Sequence, residues 1–493
     1  MLTLRRLAPA AALLVGVTSH ALAQQSDPAP ATKIPAEAAI EEAVDEIEAK
    51  KIEADIAYRQ QQYPKAIELT TSVLEKKPQD HVALYLRASA RVESGAQTKN
   101  AESIRAGIKD AREAITLEKN GKGDYYLPYL YGMTSLTIAE AKPAHAETAV
   151  GIADQLLADP KYTPQERANI SYQRGLANIQ LRKPDDARDD FKQAIKRKSD
   201  HLAAHVALCN LVNETKGRDD ALIAFNQAVA SVPDSALLLN NRGMHFHSMG
   251  RDKEAINDLN SALKKDPTFL PALINRGFVN MQAGRPDEAE KDLTAAIEMS
   301  PTSPQPYTMR GNVRIAQGRA ADAIGDYRRV AEMTPASGIA AADVGFALFF
   351  SGDYPEALKQ FDQALKLDSS ISFLTPWRVA AARRIGKDLS NDPAVKAAIS
   401  SEPAMRNWFD WLTLHQLGKV DDVALLAAAN PADATVQKAQ QCEAYYFIGI
   451  EMLRKKQTDD AKASFVQAVE TEAERLSAYR GARMALREIE TAN

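Results

Sequence analysis

The chain has little cysteine, no excess of positive charge and, after its first 23 residues, no long apolar run. Cys209 and Cys442 are the only two cysteines, and they lie far apart in what reads below as a linear array, so no disulfide is expected. A net charge of −4, or −6 without Arg5 and Arg6, gives no clustered basic face for nucleic acid. No later stretch holds the roughly 18 uncharged apolar residues of a membrane span. Also missing are a Gly-rich phosphate loop between strand and helix, a Gly-x-Ser-x-Gly elbow and any zinc-type Cys/His spacing. His245 and His247 are two apart on an expected helix and point in different directions. His201 and His205 have helical spacing, but one falls in a turn and the other at a packing position. The pairs Asp185-Asp186, Asp189-Asp190 and Asp219-Asp220 open helices, where carboxylates suit the positive helix end. No catalytic residue, metal ligand or cofactor site is therefore assigned. An enzymatic reading would need a site within 369–441.

What is there begins with an export signal. Arg5 and Arg6 precede a short apolar segment, Leu7 to Val17, and Ala21-Leu22-Ala23 offers a cleavage site before Gln24. No cysteine stands at that point to be lipidated. The expectation is a bacterial periplasmic or secreted protein, cleaved after Ala23. Residues 24–35 are polar and rich in Pro and Ala, as in a disordered linker.

Between 168 and 369 the sequence repeats every 34 residues, six times over. Ala187, Ala221, Ala255, Ala289, Ala323 and Ala357 mark the period. Four residues after each stands a large side chain: Phe191, Phe225, Leu259, Leu293, Tyr327 and Phe361. Pro233, Pro267, Pro301 and Pro335 close four of the units. A fixed period of this length means stacked units, each too small to bury its own apolar face. Outside this block the period loosens. Irregular units occupy 36–167, and one of them breaks register at Gly95. An irregular helical segment follows at 370–441, with Trp408 and Trp411. One more unit spans 442–475, and a capping helix 476–493.

The unit resembles a tetratricopeptide repeat, a pair of antiparallel helices A and B. Numbered from Ala236, the matches are Leu239 at 4, Gly243 at 8, Phe246 at 11, Ala255 at 20, Leu259 at 24, Ala262 at 27 and Pro267 at 32. Gly250, Gly284, Gly318 and Gly352, at position 15, suit a left-handed helix end. The resemblance implies an all-α, right-handed superhelical solenoid, and the tail is similar to the ends of bacterial envelope repeat proteins. Within the chain, Arg at position 7 goes with Asp at position 23: Arg174 with Asp190, Arg242 with Asp258, Arg276 with Asp292, Arg310 with Asp326. Arg87 and Asp110 match once an insertion is allowed. Units with Leu208, Val344 or Ile448 at position 7 carry Ala224, Gln360 or Ser464 instead. The joint variation reads as a bridge from helix A to helix B, because a partly buried charge needs its partner.

In the family, positions 2, 5, 9, 12 and 13 of helix A line a concave groove that holds peptides. The resemblance therefore assigns partner binding to Tyr172, Asn210, Asn240, Met244, His247, Phe278, Met281, Asn312, Phe346, Phe349 and Phe350. Two readings of Phe346, Phe349 and Phe350 stay open: an exposed apolar patch in the groove, or core packed against the segment around Trp377 or Trp408. Met244 and Met281 also suit gap filling. The family's clamp for chaperone tails needs Lys at position 5, which these units lack. The expected function is an adaptor that holds proteins or peptides of the cell envelope. The alternative is a self-associating structural protein, a homodimer through its irregular C-terminal part.

Overall fold

The computed structural model describes residues 46–118 and 125–492. The leader, the linker, residues 36–45 of the first irregular unit and residues 119–124 lie outside the described residues. Among those described there are 25 α-helices and no strand, and the chain divides into two units after Lys265.

The first unit holds α1 (Glu46–Arg59), α2 (Tyr63–Lys76), α3 (His81–Thr98), α4 (Ala101–Leu117), α5 (Tyr126–Glu140) and α6 (Pro143–Ala158). It continues with α7 (Pro164–Gln180), α8 (Pro184–Arg197), α9 (Leu202–Lys216), α10 (Arg218–Ser231), α11 (Ala236–Ser248) and α12 (Asp252–Lys265). The last pair shows how the sequence makes a repeat. The Ser235 hydroxyl accepts from the Leu238 N–H at 3.2 Å and starts α11. Gly250, at φ +74°, ends it in the left-handed region that a side chain would strain. α12 then buries Ala255, Leu259 and Ala262 against it. Neighbouring A helices pack side by side more closely than neighbouring B helices, which puts the A helices on the inner face.

Glycine at position 8 has a steric cause. A Cβ on Gly175 would fall 2.5 Å from the Phe191 ring, and one on Gly345 2.6 Å from the Phe361 ring. The large residue at position 24 lies flat on the backbone of its own A helix. Gly95 plays a similar part, and the expected slip of register follows it: Arg87 and Asp110 are 23 residues apart where Arg242 and Asp258 are 16 apart. Helix α3 does not break there but runs on to Thr98, and the missing side chain lets Ile104 of α4 approach, with a Cβ contact of 2.8 Å.

The second unit starts with α13 (Leu270–Gln282), α14 (Pro286–Met299), α15 (Pro304–Ala316), α16 (Ala320–Met333), α17 (Gly338–Phe350) and α18 (Tyr354–Leu367). Four shorter helices follow: α19 (Thr375–Arg384), α20 (Pro393–Ser400), α21 (Trp408–Gln416) and α22 (Asp422–Ala428). Then come α23 (Ala434–Arg454), α24 (Thr458–Glu470) and α25 (Ser477–Ala492). Helix α23 starts eight residues before Cys442, because the Asp433 carboxylate caps it by accepting from the Thr435 and Val436 N–H groups at 2.8 and 3.1 Å. Cys209 and Cys442 are both buried free thiols.

The inferred bridges are formed. The Arg242 guanidinium donates to both Asp258 oxygens at 2.7 and 2.8 Å, Arg276 to Asp292 at 2.9 and 2.6 Å, and Arg87 to Asp110 at 2.8 Å twice. Arg174 places two nitrogens on one oxygen of Asp190, at 2.9 and 2.6 Å. The third nitrogen often reaches the preceding B helix: Arg242 to Asn226 at 3.1 Å, Arg310 to Thr294 at 3.1 Å. Each such arginine ties three helices. Arg378, at position 7 of a frame continued past 369, keeps the habit with Asp362 behind it and Asp392 ahead.

Candidate functional site

The residues assigned to a groove have two fates, one in each unit. In the second unit the chain fills its own inner face. One continuous core runs from Ile315 on α15 to Ile489 on α25. Phe346 and Phe349 are buried, not exposed: their rings meet Trp377 of α19 edge-on at 4.9 and 5.3 Å. Trp377 in turn packs on Tyr446 at 5.1 Å and Phe447 at 5.0 Å, both of α23. Half-buried Phe350 lies 5.9 Å from the same indole. The groove reading of these three is therefore corrected to core. Helix α17 is apolar around most of its circumference, with Asp343 its one charged group, so most of it must be covered.

The cover over Phe350 is the last helix. Helix α25 packs on α23 and α24 as a cap, and it also reaches α15 and α17. Gly481 lies so close that a Cβ there would fall 2.6 Å from Tyr446 and 2.7 Å from Phe350. The Arg480 guanidinium donates to the Asn312 side-chain oxygen at 2.7 Å, and the Tyr327 hydroxyl donates to the same oxygen at 2.9 Å. Asn312, the expected peptide contact, thus binds a side chain of its own chain. Phe278 and Met281 are half-buried, and Met281 packs against Ala289, Leu293 and Val313.

Helix α21 holds this arrangement from behind. The Trp408 indole N–H donates to the Glu443 carboxylate at 2.6 Å, and the Gln416 amide donates to the Phe447 carbonyl at 3.1 Å. Burial pushes the Glu443 carboxyl up to about 7, and the indole bond offsets only part of that. The protonated form is favoured in the folded chain relative to an ordinary glutamate near 4.5. Stability from this group is thus fully present below the unfolded value and is lost as pH rises through 7, by on the order of 2–3 kcal/mol. Glu443→Gln keeps the acceptor without the charge. It is expected to raise the thermal midpoint at pH 8 and leave it unchanged at pH 4.5. A shift of equal size at both would contradict this assignment.

In the first unit the assigned residues divide again. Tyr172 is 1% exposed, between Phe191 at 5.9 Å and His201 at 5.3 Å, and is core. Asn240 is buried too, its amide donating to Asn241 at 3.1 Å. His247 donates to Asp252 at 2.6 Å and belongs to a helix end. Asn210 and Met244 are half-buried. His201 caps α9 by accepting from the Ala204 N–H at 3.2 Å, while His205 donates to the Ser199 carbonyl at 2.7 Å. Burial lowers the His201 imidazole to about 4, so it is neutral. No group of three metal-ligating side chains occurs among the described residues.

The irregular repeats, to which no groove residue was assigned, carry polar groups of their own at the groove positions. Counted from His81, Tyr85 and Glu93 stand at positions 5 and 13 of helix α3; counted from Ala168, Asn169 stands at position 2 of α7. Extending the frame to α3 would have found the first two, while Asn169 already stands at a groove position of the regular block. Tyr58 of α1 and Tyr131 of α5 complete a row on consecutive A helices. The Asn169 amide bonds to the Tyr131 hydroxyl, and the Asn169 side-chain oxygen is buried with no partner. Glu93 makes no hydrogen bond or ion pair among the described residues. Its side chain keeps partial access to solvent, yet the protein crowded around it pushes the carboxyl up to about 7. Its charge bears on the hydroxyls of Tyr58, Tyr63 and Tyr131, and raises them beyond the effect of burial. Glu93 is thus largely surrounded by protein, with tyrosines of three helices within reach of its charge.

Tetratricopeptide repeat models match residues 53–114, 168–201, 214–268, 274–338 and 308–372, together about half of the chain. The chain belongs to the tetratricopeptide repeat family, whose members are in general protein-interaction scaffolds. No curated protein matched the sequence. Among solved structures it is similar to PilF of Pseudomonas aeruginosa, at 19% identity over 42% of this chain and 94% of that one, with a TM-score of 0.36. It is similar also to a tetratricopeptide repeat protein of Parabacteroides merdae, at 14% identity over 65% and 98%, with a TM-score of 0.35. A third is YrrB, described as having an unusual peptide-binding site, at 19% identity over 37% and 93%, with a TM-score of 0.32.

Proposed function

We propose that this protein is a non-enzymatic scaffold of the bacterial periplasm that holds a peptide segment of an envelope protein on the inner face of its first unit. The observation that carries the reading is the contrast between the two inner faces. That of the second unit is taken up by Trp377, Tyr446 and helix α25 of the same chain. That of the first offers tyrosine rings, an acceptor without a donor on Asn169 and an unpaired carboxylate on Glu93. Rigid aromatics with adaptable polar neighbours favour binding, since they bury much area at little entropic expense. The leader supports the location.

The test has two parts. Residues 1–30 fused to alkaline phosphatase should give activity that depends on export; a fusion inactive in intact cells would remove the periplasmic assignment. The chain from Gln24 on, labelled and applied to an array of 15-residue segments of exported proteins, should select a subset. Tyr85→Ala should weaken those spots about tenfold or more, the loss typical of a central aromatic contact, whereas Met281→Ala should not. An unchanged pattern with Tyr85→Ala would move the site elsewhere.

A further inference from the structure

We infer that the cluster formed by Glu93, Tyr58, Tyr85, Tyr131 and Asn169 is a cation subsite that takes a lysine or arginine side chain of the bound peptide. The inference rests on the scaffold reading above and goes beyond it by naming what the peptide must carry. Two unsatisfied groups define the site, and both accept hydrogen bonds: the Glu93 carboxylate, without a donor among the described residues, and the buried Asn169 side-chain oxygen. Tyr131 joins them, since its hydroxyl bonds to Asn169 and lies within the field of Glu93. A ligand that satisfies both must bring donors, and one that neutralises the carboxylate must bring positive charge. Lysine and arginine head groups do both.

The walls suit the same occupant. Tyr58 and Tyr63 have ring centroids 5.9 Å apart, and Tyr85 stacks on Tyr125 at 4.8 Å, so these rings are held in place before any ligand arrives. Aromatic faces attract cations, most strongly where water is excluded. An isolated carboxylate in such surroundings is unfavourable until a counter-charge meets it. Asp110 of α4 receives Arg87 and Arg91 from helix α3 at 2.7–2.8 Å. Glu93, on the same helix as those two arginines, is left without one. The occupant is taken as a peptide because the cluster lies on consecutive A helices, α1, α3, α5 and α7, along which an extended chain would run.

The probes are a blocked heptapeptide with one central lysine among glycine and alanine, its norleucine counterpart, and free ethylammonium, each titrated to millimolar concentration. Binding is read by NMR of fluorotyrosine incorporated in the chain from Gln24 on. The lysine peptide is expected to bind at least about tenfold tighter than the norleucine peptide, the scale of a charge pair in an enclosed site, and to shift resonances of tyrosines in the cluster. In Glu93→Gln, which preserves shape, the two peptides should bind alike. If lysine and norleucine peptides bind the native chain equally, or if Glu93→Gln retains the preference, the cation assignment falls while the scaffold reading stands. If ethylammonium binds as tightly as the lysine peptide, the peptide occupant is wrong. If no probe binds at millimolar concentration, both readings fall.

Discussion

Replacing Asp326 with alanine is expected to lower the unfolding free energy by about 3–5 kcal/mol, the usual penalty for stranding one member of a buried pair. The carboxylate is 3% exposed and accepts from Arg310 at 3.1 and 2.7 Å and from Arg314 at 2.9 Å. Arg314 would keep Glu290 at 2.8 Å, so the stranded group is Arg310. Its remaining contacts are the Thr294 hydroxyl and the Tyr307 ring, both neutral. The joint replacement Arg310→Met with Asp326→Leu removes both charges and should recover most of the loss. The chain already tolerates such pairs, with Val344 beside Gln360 and Leu208 beside Ala224. Urea midpoints of the three chains decide the matter. An Asp326→Ala midpoint equal to the native one would remove the bridge as a source of repeat stability.

Removing residues 476–493 should have an effect of similar size and a different signature. Helix α25 buries Ala478, Tyr479, Ala482, Met484 and Ile489, and covers Phe350 and Tyr446. Three large side chains lose their burial, at roughly 1.5–3 kcal/mol each. The second unit should then melt about 10 °C lower or more. The uncovered rings should bind a hydrophobic dye and drive self-association, which light scattering would register. A synthetic peptide of residues 476–493 added in trans should reverse both changes. Gly481→Leu tests the docking without deletion, because its side chain must overlap Tyr446 and Phe350. If the shortened chain melts with the full one, the last helix does not hold the second unit together.

How much of this was legible in the sequence follows from what each contact leaves behind in it. Repeated packing leaves a period, so the small residues at 8 and 20 and the large one at 24 announced the helical hairpins. Paired charges leave joint variation, so Arg242 and Asp258 announced each other. The arginine's reach back to the preceding helix was missed, because Asn226, Thr294 and Asp362 share a spacing of sixteen residues but no chemistry. Phe346 and Phe349 were ambiguous for a physical reason. An aromatic ring on the inner face looks the same in sequence whether a ligand or another part of the chain covers it. The covering residues are Trp377, Tyr446 and Gly481, and the Arg480 to Asn312 contact spans 168 residues with no periodic trace. Glu93 could have been found by extending the frame, but nothing in the sequence alone shows that it has no partner.

In the proposed division of labour the inner face of the second unit belongs to the chain itself, while that of the first is left for a partner. Hydrogen–deuterium exchange of the chain with and without a peptide selected on the array tests it most directly. New protection is expected in 46–59, 81–98, 126–140 and 164–180, with no change in 304–316, 338–350 or 477–492. Protection gained in 304–316 and 338–350 together with release of 477–492 would contradict it, since the partner would then have displaced the last helix.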